Sequence, residues 1–120
     1  MALNDALLNI GADAMAAAVA KVSIHTADPG ANGANLSSAG KVAANWDASA
    51  NGDMLLTDDV SFTGGEASGA ATYVGLWSSA DAWYGSIKIP TDGSNDLTFN
   101  AAGEYTLTSI TVTGTATDAG

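Results

Sequence analysis

Two strand-like runs joined by a short polar break constrain this chain more than any other stretch. The first reads Ala70-Ala71-Thr72-Tyr73-Val74-Gly75-Leu76-Trp77-Ser78 and the second Trp83-Tyr84-Gly85-Ser86-Ile87-Lys88-Ile89-Pro90. The break between them has hairpin length, so residues 70–90 are expected to pair as a β-hairpin. Alternation puts Thr72, Val74 and Leu76 on one face of the first run and Tyr73, Gly75 and Trp77 on the other. In the second run it sets Trp83, Ile87 and Ile89 against Tyr84 and Lys88. Both faces are partly apolar, whereas a strand with one wet face alternates cleanly. The hairpin is therefore expected in the middle of a sheet covered on both sides, by a second sheet, a helix or another subunit. Two of the three tryptophans and two of the three tyrosines lie in it. Aromatics in strands more often fill a core or an interface than form a bare ligand platform, which makes Tyr73, Trp77, Trp83 and Tyr84 the candidate interface residues.

The remaining sequence fits around that hairpin as a single domain spanning residues 1–120. Leu3, Leu7, Ile10, Ala14 and Ala17 recur at helical spacing, with Asn4 or Asp5 as cap, and predict a helix over residues 3–20. Its alanine-rich surface is thin, and it is expected to pack on the domain's own sheet or on a partner subunit. Residues 22–26 alternate like a strand and run into the turn Ala27-Asp28-Pro29-Gly30. Residues 31–40 have no period and read as the longest loop, a candidate contact arm. A strand carrying Trp46 is expected over 41–48, then an Asn51-Gly52 turn and short strands over 54–57, 60–63 and 97–99. In the tail, Tyr105 and Leu107 fall on one face but Ile110 and Val112 on the other, so a bulge or kink near Thr108-Ser109 is expected to return both pairs to one core. The sum is a mainly β chain: one N-terminal α-helix, then about seven or eight short strands between about residues 22 and 115, in an antiparallel, jelly-roll-like β-sandwich.

Charge narrows the function classes. Three lysines, Lys21, Lys41 and Lys88, face thirteen carboxylates with no arginine, a formal net charge of −10. That balance repels phosphate backbones and anionic lipid, so neither nucleic acid nor a membrane surface is an expected partner. No apolar run approaches the ~18 residues that cross a bilayer, and the start Met1-Ala2-Leu3-Asn4-Asp5 lacks the basic region of a signal peptide. With no cysteine there is no disulfide framework and no thiolate metal site.

Chemistry-bearing motifs are sparse. His25 is the single histidine, without a Gly-x-Ser-x-Gly elbow anywhere, and is expected to bond the turn that follows it rather than to act as a catalytic base. One histidine and no cysteine cannot make a zinc site. Asp92, Ser94 and Asp96 place oxygens at alternate positions that a calcium ion could use, but Leu97 stands where an EF-hand loop needs glycine, so an ordinary Asx-type turn is expected. Gly64-Gly65 lacks the lysine and helix of a phosphate loop. No enzyme activity and no cofactor are expected.

One resemblance covers almost the whole chain. His25-Thr26-Ala27-Asp28-Pro29-Gly30, Gly33-Ala34-Asn35, Trp46, Val74-Gly75-Leu76-Trp77-Ser78, Tyr84-Gly85 and Gly103-Glu104-Tyr105-Thr106-Leu107 stand in the order and spacing found in certain phage proteins. In these the chain resembles the small virion proteins of tailed bacteriophages usually labelled tail fibre or minor tail protein. The resemblance implies a non-enzymatic, mostly β structural protein, made in the host cytoplasm and displayed on the virion, as a tail-fibre-like subunit or a capsid decoration protein. It further implies homo-oligomers, a trimer among them, and contact with other virion structural proteins. The matching positions look like turn and core residues, so no site residue is carried over. A carbohydrate-binding adhesion module is the alternative, and it requires Trp77 and Trp83 to be exposed.

Overall fold

The computed structural model describes residues 5–47, 53–91, 93 and 95–113. Among the described residues, helix α1 (Asp5–Ala18) precedes eight strands: β1 (Lys21–His25), β2 (Leu36–Ala43), β3 (Asp53–Leu55), β4 (Val60–Phe62), β5 (Tyr73–Trp77), β6 (Trp83–Lys88), β7 (Tyr105–Leu107) and β8 (Thr111–Thr113). The protein is mainly β, with one N-terminal helix, and the strand pairings are antiparallel. A four-stranded sheet has the order β2-β1-β5-β6, and two further pairs form, β3 with β8 and β4 with β7.

Period-two alternation builds the core. Val22 and Ile24 of β1 stand opposite Leu76 and Val74 of β5, and all four point to the inner face of the four-stranded sheet. Val60 and Phe62 of β4 and Leu107 and Tyr105 of β7 complete the facing layer, while Ile89, Phe99 and Ile110 close the ends. Each fully buried aliphatic or aromatic side chain contributes roughly 1.5–3 kcal/mol of transfer free energy, so this two-layer cluster is the main source of stability.

The hairpin forms in register, but not in the middle of its sheet. Strand β5 is interior and β6 is an edge. The pairing also slips between Leu76↔Gly85 and Trp77↔Trp83, leaving Tyr84 as the extra residue of a bulge. The bulge reverses the side to which Trp83 points, so Trp83 shares the outer face with Trp77 while Ile87 packs on the core. Simple alternation set Trp83 and Ile87 together, and the one-residue insertion separates them.

Strand β2 begins at Leu36, inside the segment whose lack of period suggested a loop to residue 40. Its register against β1 shifts between Ser23 and His25, and this irregularity erases the alternation that would have marked it. Trp46 makes only an isolated bridge, with Leu56, outside any named strand.

The expected break in the tail lies between β7 and β8, where the chain leaves β4 and crosses to β3. Tyr105, Leu107 and Ile110 are all buried as a result. Asn95 secures the crossing: its Oδ1 accepts from the Thr108 and Ser109 amides at 2.9 and 3.1 Å, and its Nδ2 donates to the Ser109 carbonyl at 2.6 Å.

Helix α1 packs on strand β3, and near its C-terminal end Ala16 and Val19 pack toward the core while the Trp46 indole N–H donates to the Val19 carbonyl at 2.9 Å. Leu7 is 49% and Ile10 65% exposed, and Ala14 and Ala17 are exposed as well. The molecule measures 48 × 28 × 26 Å.

Candidate functional site

The outer face of the four-stranded sheet collects most of the polar and aromatic chemistry. The β1–β5 register sets Ser23 against Gly75, His25 against Tyr73 and Lys21 against Trp77, and β2 adds Lys41 across from Ser23. Strand sequence dictates this grouping: every residue between the core positions Val22, Ile24, Val74 and Leu76 must point the other way.

A hydrogen-bonded chain runs across that face. The Trp77 indole N–H donates to Ser23 Oγ at 2.7 Å, Ser23 Oγ lies 2.6 Å from His25 Nε2, and His25 Nδ1 lies 2.7 Å from the Ala34 carbonyl oxygen. A carbonyl only accepts, so Nδ1 carries the proton; the neutral ring then accepts at Nε2 from the Ser23 hydroxyl. Each polar atom of the chain is satisfied. Burial holds His25 below the ordinary histidine range, opposed by its bond to Ala34.

Residues 26–35 cover this network. The Asp28 carboxylate accepts from the Gly30 amide at 2.9 Å, the Asn35 side-chain amide donates to the Asp28 carbonyl at 2.9 Å, and the Ala34 amide donates to the Pro29 carbonyl at 2.9 Å. Gly33, at φ 75°, lies on the tryptophan pair, where a Cβ would stand 2.8 Å from the Trp77 ring and 2.9 Å from the Trp83 ring. Only glycine fits both that backbone angle and that space. The segment read as a contact arm is thus fastened to its own sheet at both ends and in the middle. It supplies one of the two covers expected over the hairpin, in place of a helix or another subunit.

The four candidate interface residues separate. Trp77 is 7% exposed and meets Trp83 edge-on with ring centroids 4.8 Å apart; Trp83 and Tyr73 are half-buried. Tyr84, lifted out by the bulge, is 55% exposed. The structure brings Trp77 and Trp83 together with Ser23, His25 and Gly33, and leaves Tyr84 apart from them.

Beside Trp77 lies a basic corner. Lys41 Nζ sits 3.8 Å from the Trp77 ring centroid, and Lys21 and Lys41 approach Asp81 in the β5–β6 turn at 3.0 and 3.6 Å. The hydrogen bond from Lys21 holds the Asp81 carboxyl below its usual range.

Chemically, Ser23 and His25 have the contact of a nucleophile and its base. Both are fully buried, however, and Nδ1 faces a backbone carbonyl where a triad has a carboxylate. Gly75 packs so closely that a Cβ there would collide with Ser23 Oγ and His25 Nε2. No substrate atom reaches Ser23 with this face closed, and what the arrangement does is fasten the 26–35 loop. A separate cleft of about 240 Å³ is lined by Thr26, Ser37, Ser38, Glu66 and Phe99 among others.

Of the calcium candidates, Asp92 and Ser94 lie outside the described residues, and the Asp96 carbonyl accepts the Tyr105 hydroxyl at 2.6 Å. Among the described residues no three His, Cys, Asp or Glu side chains gather as a metal site, and no helix is long and apolar enough to cross a membrane. Sequence reasoning passed over Ser23, Gly33, Lys41 and Asn95. The alternation of residues 22–26 already placed Ser23 beside His25, but only the strand order brings Trp77 to them. Comparison of the chain with protein-family models, with curated proteins and with solved structures finds no match.

Proposed function

We propose that this protein is a non-enzymatic structural component of a tailed-bacteriophage virion, displayed on the particle as a homo-oligomer, either a tail-fibre-like subunit or a capsid decoration protein. One observation carries the reading. The stretches on which the resemblance rests, residues 25–30, 33–35 and 74–78, form a single interlocked unit through the Trp77–Ser23–His25–Ala34 chain and the Gly33 contact. Residues that depend on one another in this way specify a sheet face and its covering loop, which favours a shared fold over chance likeness. The buried state of the Ser23–His25 pair supports a role without catalysis, and the acidic surface suits a displayed domain that must remain soluble.

The carbohydrate-binding alternative has less support. It needs a row of exposed aromatics, and with Trp77 buried it would have to act through Tyr84.

Mass spectrometry of purified particles tests the reading. Peptides of this chain are expected in the virion, and their absence would sink the proposal. Copy number then separates the two placements, since a tail tip holds a few copies and a shell lattice holds many.

A further inference from the structure

We infer that the cleft between the start of β2 and residues 64–69 is a binding site for a primary alkylammonium group, carried by a small free amine or by a lysine side chain. A site of this kind is independent of virion membership.

Ser37 marks the place. Ala39 packs on the core, and Ser37, two residues earlier in β2, shares its side and turns between the two layers. Ser37 is 7% exposed, and its Oγ is buried without a hydrogen-bond partner, the one side-chain oxygen or nitrogen so placed among the described residues. A buried hydroxyl left unpaired is costly, and folded proteins keep few of them. This one stands on the wall of a cleft of about 240 Å³, where a ligand can reach it and supply the missing partner. The rim opposite is held in place before any ligand arrives. The Gly69 amide donates to the Glu66 carbonyl at 2.9 Å, the Phe99 amide to the Gly69 carbonyl at 2.8 Å, and the Ser68 amide to the Asn100 carbonyl at 3.0 Å.

The other polar groups of the wall decide the ligand's chemistry. The Ser38 and Thr26 hydroxyls donate to the Gly64 and Asn35 carbonyls at 2.9 and 3.4 Å, so toward a ligand both oxygens can only accept. Glu66 adds a carboxylate, a further acceptor. Lys21 and Lys41 converge on Asp81, and Lys88 stands in β6, at the opposite edge of the sheet from β2, so none of the three lysines answers Glu66. Glu66 and a formal net charge of −10 repel an anion. A divalent metal ion calls for several charged oxygens, and this wall holds one carboxylate. A primary ammonium has three N–H donors and no acceptor, which matches the wall, and it gives Ser37 Oγ a donor. Leu36, 40% exposed, and the Phe99 ring form the apolar side along which an alkyl stem lies. The volume falls short of the roughly 300–1,000 Å³ of pockets that enclose a drug-sized ligand, so the cleft takes one amine tail rather than a cofactor.

Titration of the full-length protein with butylammonium chloride, followed by amide NMR at fixed ionic strength, tests this, with butanol and butyrate as controls of similar size. Saturable shifts are expected at the amides of Ser37, Ser38, Glu66 and Gly69, at millimolar amine because so few atoms make contact, and neither control is expected to reproduce them. Glu66→Gln, at an exposed position that does not endanger folding, is expected to weaken binding by about tenfold or more. Ser37→Ala is expected to weaken it as well, yet to leave the ligand-free protein equally or more stable in urea, since it removes an unpaired buried hydroxyl. The capped peptide acetyl-Gly-Lys-Gly-amide separates the sources: tighter binding than butylammonium assigns the cleft to a lysine side chain, and equal or weaker binding assigns it to a free amine. Equal shifts with butanol or butyrate, shifts that do not saturate or that fall elsewhere on the acidic surface, or unchanged binding in Glu66→Gln or Ser37→Ala would each overturn the inference. So would a ligand-free Ser37→Ala that is less stable, because the hydroxyl would then already have a partner.

Discussion

Ser23 shows how much one small side chain can hold. Its hydroxyl is the midpoint between the Trp77 indole and the His25 ring. Ser23→Ala leaves a buried N–H and a buried ring nitrogen without partners, and a loss of about 1–3 kcal/mol is expected in urea unfolding. Gly75→Ala is expected to be comparably harmful for the opposite reason, because its methyl would enter space held by Ser23, His25 and Trp83. His25 makes the face sensitive to acid. Its folded-state pKa lies below the ordinary value of about 6.5, so the unfolded chain takes up a proton first. The histidine's contribution is complete above that value and is lost as pH falls through it toward the folded-state pKa. Thermal melts between neutral and mildly acidic pH should show this decline, and His25→Gln should flatten that part of the profile.

Among the elements, the crossing from β7 to β8 depends most on a single partner. Asn95 accepts from two successive amides and donates to a carbonyl of the same bend. Asn95→Ala is expected to cost about 2 kcal/mol or more, through buried backbone groups left unpaired, and to speed amide exchange in the Thr108–Ser109 bend. Tyr105 ties the same region from β7, with its hydroxyl donating to Asp96 and its pKa raised to about 12, first by burial and then by the Asp96 charge. The unfolded chain therefore loses the phenolic proton first, near pH 10, and stability is full below that pH. It is lost as pH rises toward about 12. Alkaline titration followed by circular dichroism should find this step in the wild type and not in Tyr105→Phe, at the expense of about 1 kcal/mol for the missing hydrogen bond. Edge strand β6 is protected by its bulge and by the exposed Lys88, two devices that discourage pairing with another sheet edge.

At the scale of the molecule, thirteen carboxylates against three lysines make self-repulsion the main long-range force. Two of those lysines converge on Asp81 at the Trp77 end of the sheet, so the basic charge is local and the remaining surface acidic.

The sequence by itself determined what depends on neighbours along the chain: the helix, the β5–β6 hairpin, the Asp28-Pro29-Gly30 turn, the sidedness of Val22, Ile24, Val74 and Leu76, and the break after Leu107. Each rests on a period or a turn preference that acts within a few residues. Tertiary structure alone decided the rest. Strand order set β6 at an edge, and a one-residue bulge turned Trp83 to the outer face, because register is fixed by pairing across the sheet and a shift of one residue exchanges its faces. The meeting of Ser23, His25, Gly33 and Trp77 joins residues up to 54 positions apart, a distance no local pattern encodes.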